Sequence, residues 1–118
     1  MADAGLFIGW GDVVRGREDR ALEVFNETVE FYGQLQSDGR IEDFEVALLQ
    51  PHGGELAGYA MLRGSEAQID ALGRDEDFER LMTRADLIVD GLGIVPALIG
   101  EGLGRAMGVY QEEIAVVA

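Results

Sequence analysis

The stretch Ile41–Gly64, IEDFEVALLQPHGGELAGYAMLRG, constrains the fold more than any other part of the chain. It reads as two apolar strands, Ile41–Gln50 and Glu55–Arg63, folded back over a Pro-His-Gly-Gly turn. Along the first, Phe44, Val46 and Leu48 alternate with Glu45, Ala47 and Leu49. Along the second, Leu56, Gly58, Ala60 and Leu62 alternate with Ala57, Tyr59, Met61 and Arg63. A sheet with one wet face alternates sharply between apolar and polar side chains. Neither strand here has a clean polar face. Helices can cover one side of such a pair, and a chain of 118 residues has little left to cover the other. The expected cover is a second copy of the chain.

The flanking segments fit around this hairpin. Leu6–Trp10 is a short apolar run with a glycine boundary, which predicts a buried strand. From about Arg17 to Gln36, Leu22, Phe25, Val29, Tyr32 and Leu35 recur at steps of three and four, one face of a helix. Ser37-Asp38-Gly39 ends it, with Gly39 suited to the left-handed position past the last turn. Ser65-Glu66-Ala67-Gln68 has capping-box spacing and predicts a second helix start. Gly73 interrupts, and a further segment from Asp75 turns Phe78, Leu81, Met82 and Ala85 inward. Leu87–Ile99 reads as a β-branched strand, placed at a sheet edge by Pro96, which has no N–H for a ladder. From about Glu101, Leu103, Met107, Tyr110, Ile114 and Val117 recur at four, three, four, three. That stripe predicts a last helix in need of a partner surface, in its own subunit or in a neighbour.

The element order is strand, helix, strand, strand, helix, strand and a tail helix. The compact solution is an α+β, ferredoxin-like βαββαβ domain. It has a four-stranded antiparallel sheet and helices on one face. A single domain spans residues 1–118, with a helical extension from about residue 100.

By this order, and by the segments Phe44–Leu49, Gly58–Gly64 and Asp75–Leu81, the chain resembles the dimeric α/β-barrel superfamily. The stretch LLQPHGGELAGYAMLRGS looks like the hairpin of its small, uncharacterised bacterial members. The resemblance implies two ferredoxin-like subunits with their sheets face to face and helices outside. The superfamily includes cofactor-independent monooxygenases, lactone isomerases, haem-handling enzymes and proteins without known activity. None of their catalytic motifs is carried over to these residues.

Charge narrows the partners. The net charge is −14, and all nine basic residues are arginine. A field of that sign repels phosphate backbones and anionic membrane surfaces, so neither nucleic acid nor membrane is expected. A host whose base composition favours Arg, Ala and Gly explains the absence of lysine, ahead of a halophilic host. There is no cysteine, which excludes disulfides and thiolate chemistry. With no signal-like or membrane-length run, the expectation is a cytoplasmic protein.

Candidate chemistry is sparse. Ile99–Gly108, IGEGLGRAMG, follows a strand and opens a helix, but Met107 stands where a dinucleotide loop needs its third glycine. It reads as a joint for the tail helix. One histidine and scattered carboxylates predict neither a metal site nor a cofactor. Trp10, Tyr32, Tyr59, Met61 and Arg63 form an apolar ligand pocket with a few polar handles if their side chains converge. Glu45 and His52 are the candidate proton-transfer residues, His52 in a turn and Glu45 as a carboxylate added to that pocket, where burial would raise its pKa. The expected function is a homodimer, joined through the sheet face and the C-terminal helix, that binds a small apolar organic molecule between sheet and helices. The alternatives are a cofactor-independent monooxygenase or isomerase on the same fold, and a structural or regulatory module without a pocket. Hairpin register decides among them, because a slip of one residue moves every side chain to the other face.

Overall fold

The computed structural model describes residues 2–118. In chain order the elements are β1 (Ala4–Trp10), α1 (Glu18–Ser37), β2 (Asp43–Leu48) and β3 (Gly58–Gly64), then α2 (Glu66–Gly73), α3 (Glu76–Asp86), β4 (Gly93–Leu98) and α4 (Gly100–Val117). The strands form one antiparallel sheet in the order β2-β3-β1-β4. This is the ferredoxin-like arrangement with an added C-terminal helix. Both β2 and β4 are edges, and Pro96 lies on β4 as its missing donor requires.

The register follows from alternate side chains sharing a face. Leu6 pairs with Leu62 and Ile8 with Ala60, and across the next ladder Phe44 pairs with Leu62 and Val46 with Ala60. These side chains meet Tyr32 and Leu35 of α1, Ile69 and Leu72 of α2, and Phe78, Leu81 and Met82 of α3 in one core. A smaller cluster joins Ala21 and Val24 of α1 to Ile88 beyond α3. The Arg84–Glu27 ion pair ties α3 to α1 outside it.

Local signals fix the helix ends. Ser65 Oγ accepts from the Gln68 N–H while Gln68 Oε1 accepts from the Ser65 N–H, the full capping box. The Asp75 carboxylate caps α3 through the Phe78 N–H at 2.8 Å and also meets Arg40 at 2.8 Å, which together hold it below the usual carboxylate range. Gly39 takes φ +75 after α1, the left-handed stop expected of it.

Three expectations need correction. Leu22 belongs to the solvent side of α1 and is 62% exposed; Ala21 and Val24 take the inner places. The stripe drifts because 3.6 residues per turn leaves Leu22 about 60° from the line through Phe25 and Tyr32. The hairpin strands are shorter than read, with residues 49–57 as a long connection in place of a tight turn. The last strand starts at Gly93 because Gly91, at φ +64, breaks the extended path. Its upstream part zips loop to loop instead: Val13 bridges Val89, and the Gly11 N–H donates to the Asp90 carbonyl at 2.7 Å.

Leu62 is 0% exposed at the centre of the sheet. Leu62→Ala should lower unfolding stability by about 3 kcal/mol in urea titrations, whereas Leu22→Ala should change it by less than about 0.5 kcal/mol. Equal losses would mean that α1 is rotated from the position described.

Candidate functional site

An apolar cavity of about 90 Å³ lies between the sheet and the pair α1 and α3. Ile8 and Trp10 of β1 form its floor, Phe25, Val29 and Tyr32 of α1 one wall, and Ile88 the other. The position of Trp10 depends on Gly58: a Cβ there would sit 2.6 Å from Trp10 Cζ2 and 2.8 Å from the Ala47 carbonyl oxygen. The indole meets Phe25 edge-on, with ring centroids 6.4 Å apart. Tyr32 meets Phe44 edge-on at 5.7 Å.

The lining carries few polar groups. Thr28 Oγ1 donates to the Val24 carbonyl at 2.7 Å, so its proton is occupied within α1. Tyr32 is 1% exposed, and burial raises its phenol above the ordinary tyrosine value. Among the described residues, no carboxylate, histidine or arginine lines the cavity.

The register divides the five pocket candidates. Trp10 and Tyr32 belong to the cavity. Tyr59, Met61 and Arg63 alternate with Ala60 and Leu62 and so occupy the opposite, open face of the sheet. There Tyr59 stacks on Phe7 at 5.5 Å and 21°. Met61 Sδ lies 3.0 Å from where a Gly5 Cβ would be, and the Phe7 ring and Leu56 close over Gly9 in the same way. Val95, paired with Phe7, stands exposed beside them. The open face therefore has an apolar centre over glycine hollows.

Glu45 is also on this face, at the β2 edge. It pairs with Arg63, which holds Asp43 at 3.1 Å as well. These two carboxylates, Asp43 first, raise the guanidinium further above its ordinary value. His52 is exposed in the connection; its Nε2 meets the Leu56 carbonyl at 2.8 Å and its Nδ1 accepts from the Gly54 N–H at 3.2 Å. A carbonyl accepts only, so Nε2 carries the proton and both ring nitrogens are occupied in holding the loop. Glu45 and His52 thus stand outside the cavity. Among the described residues, no three His, Asp or Glu gather as a metal site, and no helix is long and apolar enough to cross a membrane.

Phe25, Val29 and Ile88 are cavity residues that the sequence reading left in the core or in a strand. The usable signal was the step Phe25, Val29, Tyr32 on one helix face above Trp10. What it lacked was the gap itself, which depends on small Ala21, Ala60 and Ala85 between larger neighbours.

No protein-family model matches this chain, and no curated protein does. Solved structures do. A dimeric ferredoxin-like protein of unknown function from Jannaschia sp. CCS1 superposes with a TM-score of 0.63 at 12% identity, covering 81% of this chain and 98% of that one. A dimeric protein of unknown function and ferredoxin-like fold from Bacteroides fragilis gives 0.60 at 12%, covering 81% and 96%. A variant of SnoaB, a cofactor-independent oxygenase from Streptomyces nogalater, gives 0.59 at 12%, covering 83% and 94%. The chain has the ferredoxin-like fold of these proteins.

Because the folded pKa of Tyr32 lies above the unfolded one, its contribution is fully present below about pH 10 and is lost as pH rises further. Urea stability should fall by up to about 1.4 kcal/mol per pH unit above that point, and Tyr32→Phe should flatten the fall. A Tyr32→Phe profile parallel to wild type would show that the phenol is not buried in solution.

Proposed function

We propose that this chain is a homodimeric protein that binds a small, uncharged apolar molecule in the cavity between sheet and helices. The carrying observation is the lining: an indole, a phenol and aliphatic groups, with no ion to orient or to be desolvated. Such a site selects by shape and by aromatic contact, with Tyr32 and Thr28 as its polar marks. At about 90 Å³ the resting cavity is smaller than the roughly 150 Å³ apolar void that accepts benzene. A single ring or a short alkyl chain therefore suits it, with a slight parting of α1 from Ile88 and Val89. Dimerisation is supported by the apolar centre of the open sheet face and by the dimers named among the structural neighbours.

The cofactor-independent oxygenase among those neighbours keeps catalysis as the second reading. Acid–base chemistry needs a group that exchanges protons near neutral pH. The cavity offers the Tyr32 phenol alone, and burial keeps that protonated. Glu45 and His52 lie elsewhere and are engaged in an ion pair and in a loop. Binding without turnover is the better reading of this site.

Trp10 is the only tryptophan, so its emission reports on the cavity without labelling. Titration with toluene, excited at 295 nm, should shift that emission saturably in wild type and in Arg63→Gln. Ala21→Leu, which fills the space, should remove the response while keeping the far-ultraviolet spectrum of the fold. An unchanged emission in wild type would overturn the binding reading in favour of a closed, filled core, and an unaffected Ala21→Leu response would place the ligand elsewhere.

A further inference from the structure

Helix α4 leaves the domain. Its first turn is pressed against the start of the chain: a Cβ at Gly102 would lie 2.1 Å from the Asp3 carbonyl oxygen, and Gly100 turns the chain at φ +53. Arg105 reaches Glu66 at 3.8 Å and Asp3 at 4.0 Å. Gly102, Ala106 and Val109 face a groove beside β4 and α2. Beyond Val109 every residue of the helix is exposed. The chain extends 54 × 37 × 22 Å with a radius of gyration of 16.3 Å, against roughly 13–14 Å for a compact chain of this length.

The exposed stripe is Leu103, Met107, Tyr110, Ile114 and Val117. At 100° per residue it centres about 100° around the helix from Gly102. By the same count Glu101, Arg105 and Glu112 fall about 180° from the stripe. The groups flanking it are Gly104, Ala106, Gln111 and Glu113. The stripe therefore lies about a quarter-turn from the face that meets its own domain and stays exposed, and its steps of four and three average 3.5 residues, the period of a two-helix seam.

We infer that α4 docks on a second copy of this chain, stripe against stripe with the equivalent helix. Charge selects that occupant. Two copies at −14 each repel, so self-association needs a seam from which charge is withdrawn, and this seam holds none with one acid on its border. A basic partner would instead meet acids around the stripe, and two of the three on α4, Glu101 and Glu112, lie on the far side. Footprint points the same way. The open sheet face measures about 20 by 20 Å in projection, on the small side beside the roughly 800 Å² per partner of a standard interface. A helical stripe about 21 Å long adds what that face lacks. Tyr110 is the middle residue of the stripe, so where two stripes overlap fully it meets its own copy.

The chain has no cysteine, so single substitutions give a clean test. Under mild oxidation, Tyr110→Cys should form a reducible covalent dimer at least tenfold faster than Glu112→Cys on the opposite side. Adding Met107→Glu to Tyr110→Cys should abolish the difference, with helix content unchanged. Equal rates for the two cysteines would overturn the inference, as would crosslinking that survives Met107→Glu. The readout needs no ligand, so it stands apart from the toluene titration.

Discussion

The rest of the structure depends on the pairing of β1 with β3, in which Leu6 faces Leu62 and Ile8 faces Ala60. Period-two alternation then has no freedom left. Even-numbered residues of both strands enter the core and odd-numbered ones form the open face. Every functional statement about the molecule inherits this division. Trp10 becomes cavity floor because it shares the parity of Ile8, and Gly58 opposite it leaves room for the indole. Tyr59, Met61 and Arg63 take the open face by the same rule.

Two kinds of surface are thereby separated on one sheet. The helix side holds a space lined by carbon and one phenol. The open side holds a stacked ring pair in the middle and the Arg63–Asp43–Glu45 ion pairs at the β2 edge. Exposed ion pairs like these add little stability. On a chain this acidic they have a different value: Arg63 offsets the charge of the two carboxylates that share the face with the apolar patch.

Much of the fold was legible in the sequence because its signals are local. The Ser65–Gln68 box, the Asp75 cap, Gly39 and Pro96 each act within a few residues, and each stands where it was read. The pocket was less legible. Grouping Trp10 with Tyr59 and Arg63 required a parity that only the β1–β3 ladder supplies, and Leu22 passed as an inner residue because adjacent helix faces differ by only one step. The cavity itself was beyond reach, since a void is set by the small residues Ala21, Ala60 and Ala85 acting together from three elements. Helix α4 was half legible: its stripe asked for a partner surface, and the structure leaves that stripe exposed on the chain itself.

The claim that joins these threads is that the open face is covered by a second copy. Sedimentation equilibrium at micromolar chain concentration tests it most directly. Wild-type protein should show no less than twice the 12.8 kDa chain mass, and Val95→Glu, which sets a carboxylate in the centre of the open face beside Phe7, should lower it. A wild-type mass of a single chain, or an assembly indifferent to Val95→Glu, would contradict the account.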